Sequence, residues 1–453
     1  MRRMRRKQRR ICRMIRLYTA GVLCLLLWAA SAHGQEYPGF RVIGRHLYDR
    51  CGGKVILRGV SNPNIWFQRD GLPHYAEIEK TGANVVRIVW ETRGTAAQLD
   101  AAISNCISHS MIPMVECHDA TGDWSKLVSV VDYWTRPDIA EVLRRYEADL
   151  LLNIANEAGD ASVTATQFRE GYEAAVLRIR EAGIHVPLVI DGTDWGKNIR
   201  VLQSEGPYLI EADPDRNLLF SVHMWWPRMY GYVEADIPRA IEASVRMELP
   251  LIVGEFSRMH GSCDEKNITA DNSIPYRTLI KQCHLHEIGY IAWSWFGNCN
   301  PFWDMTADGT FETLYDWGLE VAVTDSFSIL NTSVRPYSIV HGECDPASVR
   351  KRYGAVPDGL DLMPAYPNPF NLHTTIPYRI SGPAHVRLEI LDVYGARVRT
   401  LIDRPEPAGF RSAPWDGLDD SGGEIPSGAY FCRLIIRHEG SQREKTRKMT
   451  LIK

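Results

Sequence analysis

The chain has 453 residues, a formal net charge of −3 and 45% hydrophobic residues. That length exceeds what one ordinary core supports, so two domains plus a targeting segment are expected. The near-neutral charge gives no electrostatic case for nucleic acid, and thirteen Trp with nineteen Tyr suit flat, apolar ligand faces such as those of pyranose rings.

Residues 1–34 read as a secretion signal. An Arg-rich start is followed by the apolar run Leu17 to Ala30 and the small residues Ala30-Ser31-Ala32. The run is short for a membrane span, and nothing later is long and apolar enough, so no span is expected in the mature protein. Export permits disulfides among the Cys at 51, 106, 117, 263, 283, 299, 344 and 432. Cys263 and Cys283 are plausible partners within one loop region, although connectivity stays open. No CxxC or HxxxH spacing occurs, so neither a metal nor an organic cofactor is expected.

Over 35–345 short β-branched runs alternate with stretches of helical period. In order they are VILRGV (55–60), VVRIVW (85–90), PMVECH (113–118), LLNIAN (151–156), PLVIDG (187–192), LFSVHM (219–224), PLIVGEF (250–256) and GYIAWSW (289–295). Helix candidates such as Ala97–Ser108 and Ala165–Ala182 lie between them. Eight strands parted by helices predict a (β/α)8 barrel. An open doubly wound sheet would favour a Gly-rich loop after the first strand, and GVSNPNIW is not one.

In such a barrel, polar residues at the C-terminal strand ends share one cleft. Those ends supply Asn62/Asn64/Trp66, Arg87/Trp90, His118/Asp119, Asn156/Glu157, Asp191/Trp195, His223/Trp225, Glu255 and Trp293/Trp295. Two carboxylates from different strands, Glu157 and Glu255, can flank a glycosidic bond, one protonating the leaving oxygen and the other attacking the sugar carbon. The attacking carboxylate must be charged, so a neighbouring Arg should depress its pKa. The acid needs a drier or more negative setting.

The strings GFRVIGRHLYD (39–49), RGV (58–60), KTGANVVRIV (80–89), VECHDATG (115–122), NIANE (153–157), ADPDRNLLFSVHM (212–224), LIVGEF (251–256) and AWSWFGN (292–298) resemble glycoside hydrolase family 5. More narrowly, they resemble its subfamily 8 of bacterial β-mannanases. The resemblance implies a retaining endo-β-1,4-glycosidase acting on mannan, glucomannan or galactomannan. It implies Glu157 as acid/base, Glu255 as nucleophile, Asn156 on the sugar 2-hydroxyl and Arg87 beside Glu255. His118 and His223 would line the reacting subsite, and Trp293, with Trp295 close behind, would floor it. Trp66 and Trp195 are further candidates for substrate contact.

The chain also departs from the pattern. Ala158 and Gly159 stand where aromatic residues usually follow the NE pair. The family's nucleophile-bonding tyrosine is replaced by Trp225, with Tyr230 as a possible substitute. These changes keep a β-1,4-glucanase as the alternative activity, and a surface polysaccharide-binding protein that no longer cuts as a reading from another class.

A linker is expected over 346–365, then short alternating strands parted by Pro, Asn and Gly turns, a small immunoglobulin-like β-sandwich over 366–453. WDGLDDSGG (415–423) reads as a hairpin turn and the basic end, REKTRKMTLIK, as a solvated strand edge. The order YPNPFN, YGARVRTL, WDG, SGAYF, KMTLIK resembles the C-terminal sorting domain of the type IX secretion system. That implies secretion machinery as a partner and a secreted or cell-surface location.

Overall fold

The computed structural model describes residues 39–344 except 266, and beyond them 360–362, 365, 368–371, 374–380, 383–406, 409–438 and 441–452. The expected signal over 1–34, and the expected linker up to residue 359, lie outside the described residues.

Eight parallel strands close into a barrel. They are β1 (Arg58–Asn62), β2 (Val85–Trp90), β3 (Ile112–Cys117), β4 (Leu151–Asn153), β5 (Leu188–Asp191), β6 (Leu218–His223), β7 (Leu251–Glu255) and β8 (Gly289–Ala292). Each expected run carries one of them. Run 55–60 is divided between β1 and the short strand Lys54–Val55. The runs at β4 and β8 end early, so Asn156, Glu157, Trp293 and Trp295 stand on loops rather than in strands. Helices Ala96–Ser108 and Ala165–Glu181 start at capping boxes, Thr95 with Gln98 and Thr164 with Gln167.

The strand period of two sorts the barrel interior into levels. Val85, Met114, Leu151, Val189 and Leu219 belong to an apolar core closed from below by Phe40, Leu47 and Val55. Leu47 and Val55 come from the antiparallel hairpin strands 46–48 and 54–55. Two residues further along each strand the same face carries Arg87, Glu116, Asn153, Asp191 and Ser221, all buried. A polar floor therefore sits on an apolar plug, at the end of the barrel where the βα-loops gather.

β7 breaks the alternation. Ile252 belongs to the inner core. Gly254 also faces inward, since a Cβ there would lie 2.1 Å from Ser221 Oγ and 3.0 Å from His223 Nε2. Strict alternation would turn Glu255 outwards. The register against β6 shifts between Val253 and Glu255, and this bulge re-aims the carboxylate into the barrel mouth.

Two disulfides join Cys51 to Cys344 and Cys263 to Cys299. The pairing of Cys263 with Cys283 is therefore corrected. Cys283 is a free thiol on the buried face of helix Tyr276–Leu285, out of reach of the loop that carries Cys263.

The C-terminal domain has a three-stranded antiparallel sheet, Leu360–Leu362, Thr374–Ile380 and Gly409–Trp415. Its four-stranded companion is Arg397–Glu406, Ala384–Leu391, Gly428–His438 and Ser441–Leu451 in spatial order. Leu362, Ile376, Val386, Leu388, Trp415 and Leu434 share one core, the immunoglobulin-like sandwich that the alternation predicts. Strand Leu360–Leu362 falls inside the segment expected as linker; it pairs with Thr374–Ile380, so the sandwich begins before residue 366. In WDGLDDSGG, Asp419 Oδ1 accepts from the Ser421 and Gly423 amides and Leu418 bridges Glu424, a hairpin turn. The basic run lies on edge strand Ser441–Leu451. Among the described residues no helix is long and apolar enough to cross a membrane.

Candidate active site

A cleft of about 710 Å³ opens over the polar floor, lined among others by His118, Asn156, Glu157, Trp195, Trp225, Tyr230, Glu255 and Trp293. Glu255 is 3% exposed and Glu157 7%, so each presents little beyond its carboxyl edge. One oxygen from each, together with a His223 ring nitrogen, lie within 4.8 Å of one another.

Arg87, fully buried, organises the floor. Its Nη1 donates to Glu255 Oε1 at 2.7 Å and its Nη2 to Asn156 Oδ1 at 2.6 Å. Nε and Nη2 both donate to Asn153 Oδ1, at 3.2 and 3.0 Å. A planar guanidinium with several fixed donors suits this role better than an ammonium. Asn156 Nδ2 donates to Thr121 Oγ1 at 2.8 Å and lies 3.4 Å from His118 Nε2. Thus the Asn before Glu157 is held from both sides.

Trp225 Nε1 donates to Glu255 Oε2 at 3.1 Å. The indole itself fills the role implied for the missing tyrosine. Tyr230 does not substitute: its hydroxyl meets His260 Nδ1 at 3.4 Å and it is 48% exposed on the cleft wall. Both oxygens of Glu255 accept hydrogen bonds from N–H donors, the pattern of an ionised carboxylate. Burial nevertheless pushes its pKa above the usual carboxylate range, against the pull of His223 and Arg87. Arg87 lowers it, as expected of an Arg neighbour, but desolvation outweighs that pull and the net direction is upward.

His223 joins the two carboxyls. Its Nδ1 lies 2.7 Å from Glu157 Oε1 and 3.5 Å from Glu255 Oε2, and its Nε2 is 3.5 Å from Asp191 Oδ2. Burial lowers its pKa, but Glu255 and Asp191 overcome that and raise it to about 10. The three atoms within 4.8 Å could embrace a cation. The imidazolium already supplies that positive charge, and Arg87 supplies another, so the donor set disfavours a metal ion.

His118 takes its orientation from below, with Nδ1 2.8 Å from Glu116 Oε1. Burial lowers its pKa, and Glu116 and Glu255 raise it further than that. Its ring stacks on Trp293 at 5.5 Å and 21°. Trp293 Nε1 donates to Asn298 Oδ1 at 3.0 Å, and Asn298 is anchored on Asp304. Trp295 is not in the cleft: it is wholly buried, with Nε1 donating to Gly309 O at 2.8 Å. β8 ends at Ala292, so the alternation that paired the two Trp no longer applies. Trp66 is 40% exposed and meets the edge of His118 at 5.0 Å. Trp195, 42% exposed, stands beside the Glu157 loop, its amide donating to Gly159 O at 3.2 Å.

Glu116, Asn153 and Asp191 were not assigned roles from the sequence. The signal was present: each lies two residues beyond an inward apolar residue, on the level of Arg87.

A (β/α)8 barrel whose mouth holds two close carboxyls between aromatic walls defines a glycoside hydrolase. The chain belongs to glycosyl hydrolase family 5. The profile of that family, described as cellulase (glycosyl hydrolase family 5), matches residues 48–298. The profile of the FlgD Ig-like domain matches 373–434. A mannan endo-1,4-beta-mannosidase of Cellvibrio japonicus (strain Ueda107) is 29% identical over 361 residues, covering 77% of this chain and 80% of that protein. Another, from Salipaludibacillus agaradhaerens, is 30% identical over 290 residues, 62% of this chain and 89% of that protein. The structure of a Thermomonospora fusca beta-mannanase in complex with mannohexaose aligns with a TM-score of 0.59 at 29% identity, over 66% of this chain and 99% of that one.

Proposed function

We propose that the protein is a retaining endo-β-1,4-mannanase that cuts mannan, glucomannan or galactomannan by double displacement. The carrying observation is the approach of Glu157 and Glu255 within 4.8 Å. That supports the spacing of about 5–5.5 Å of retaining enzymes over the roughly 6.5–9.5 Å that leaves room for a water. Mannan as substrate is supported by relatives that carry that activity in their names.

In this reading Glu255, oriented by Arg87 and Trp225, attacks the anomeric carbon. Glu157, beside the His223 ring, delivers a proton to the leaving oxygen. A glycosyl ester forms on Glu255. Glu157 then takes a proton from water, which attacks the same carbon and releases the sugar with its configuration retained. Asn156 is read as the donor to the sugar 2-hydroxyl, His118 as a group lining the same subsite, and Trp293 as its floor. Trp195, Tyr230 and Trp66 are read as contacts for neighbouring sugars along an open cleft.

The test measures viscosity of locust bean gum and of carboxymethylcellulose with wild type, Glu157→Gln and Glu255→Gln. Thinning of the gum alone, lost in both variants by orders of magnitude with the fold intact, is the expected result. Thinning of cellulose alone replaces the substrate; substantial turnover in either variant overturns the roles. Export by the N-terminal signal and the sandwich as a type IX sorting domain are part of the proposal. They are tested by following the protein into the medium or cell surface of a type IX-competent host with and without residues 360–453, the sandwich with its first strand. Equal export of both forms ends that part.

A further inference from the structure

Asp191, at the end of β5, is a buried carboxylate that meets Arg87, His223 and the Glu157 amide yet does not line the cleft. Its Oδ2 accepts from the Glu157 amide at 3.1 Å. Its Oδ1 accepts from Asn153 Nδ2 at 3.1 Å, and the same Asn153 receives two bonds from Arg87. Oδ2 also lies 3.5 Å from His223 Nε2 and 3.7 Å from Arg87 Nη2. Glu157 holds a left-handed backbone, φ +46°, which a non-glycine residue keeps only where the surroundings hold it there. The Asp191 bond to its amide is such a restraint.

We propose that Asp191 is a positioning residue: it pins the backbone of Glu157 in its left-handed turn and is the fixed counter-charge of His223, so that the proton donor stays over the scissile oxygen. The proposal rests on the reading of Glu157 as acid/base. His223 is faced by Glu157 from the β4 loop, Asp191 from β5 and Glu255 from β7, and Arg87 from β2 stands on the other side of Asp191. Asp194 and Lys197 stand on the adjoining β5 loop and His260 on the β7 loop. Of these anions Asp191 alone is turned away from the cleft, so its charge does not change through the catalytic cycle. The imidazole is raised to about 10, with Glu255 and Asp191 as the leading opposing charges to burial.

The experiment compares wild type, Asp191→Asn and Asp191→Glu on mannohexaose and on 2,4-dinitrophenyl β-mannobioside, whose leaving group departs without a proton. Asp191→Asn is expected to lower kcat on mannohexaose by about 100-fold with KM little changed. Its kcat/KM on the dinitrophenyl substrate, which reports the first step alone, should fall far less, and the alkaline limb should move down by about one pH unit or more. Asp191→Glu, which keeps the charge but shifts the acceptor, is expected to lose kcat with the limb in place. Equal losses on both substrates with an unmoved limb make Asp191 merely structural and overturn the proposal, as does wild-type behaviour. Imidazole NMR of wild type gives a reading that needs no variant to fold: His223 protonated at pH 8 is expected, and neutral at pH 8 overturns it. Failure of the acid/base reading is seen separately, as turnover of mannohexaose by Glu157→Gln.

Discussion

Replacing Trp225 by Phe removes one donor from the proposed nucleophile while leaving an aromatic ring on the cleft wall. The lost contact is the 3.1 Å bond from Nε1 to Glu255 Oε2, made by a side chain only 9% exposed. A hydrogen bond to a charged group contributes about 1.5–3 kcal/mol, which converts to about 10- to 150-fold in rate. The loss belongs in kcat/KM on mannan. Glu255 is already pushed up by burial, and with one donor fewer its charged form is less favoured. The acid limb of the pH profile therefore moves to higher pH. Trp225→Tyr restores an O–H donor and separates the bond from the packing of the indole against His260 and Trp303; it is expected to fall between wild type and Phe. Initial rates on locust bean gum across pH, with melting curves to match the folds, decide the matter. A Phe variant within about twofold of wild type, with its acid limb unmoved, refutes the reasoning.

The wild-type profile has its own signature. Activity is expected to fall below a limb lying above the ordinary carboxylate range, as Glu255 becomes protonated, and again above about 10, as His223 loses its proton. Because the folded pKa of His223 is raised, the stability it contributes is complete below 6.5 and is lost as pH rises through about 10; melting temperature against pH reads this decline. Trp195→Ala is expected to raise KM about 2- to 12-fold for long substrates with the fold unchanged. Trp295→Ala, at a wholly buried position, is expected to cost about 3–5 kcal/mol of stability, so denaturant titration separates the two. Removing Cys51–Cys344, which spans 293 positions, is expected to cost about 5 kcal/mol of stability and leave kcat unchanged, as seen by calorimetry beside rate assays.

The barrel was readable because apolar runs and the turns between them follow from local chemistry. Glu157, Glu255, Arg87, Asn156, His118 and His223 were singled out at strand ends; folding gathers them, with His118, Asn156, Glu157 and Glu255 lining the cleft and Arg87 and His223 buried beneath it. What the sequence withheld depends on the third dimension. The indole of Trp225 reaches Glu255 from an adjacent strand end, and no residue count conveys that reach. Trp293 and Trp295 are two residues apart, yet one faces the cleft and the other the Gly309 carbonyl, because the strand has already ended. Cys263 finds Cys299 across two loops while nearer Cys283 is fixed in a helix. Burial also reversed the expected direction for Glu255, since the depth of a carboxylate is a property of the fold and not of its neighbours in sequence.

The irregularity between Val253 and Glu255 places catalysis one residue away from silence. Deleting Gly254 would restore an even pleat but set the acidic side chain in the glycine's place, where a Cβ would lie 2.1 Å from Ser221 Oγ, out of register with Arg87 and Trp225, leaving a cylinder that could still hold a sugar chain without breaking it. Hydrolytic and purely adhesive members of such a lineage need differ by no more than a single codon at this place, and an alignment that counts matching letters would score them as nearly the same protein.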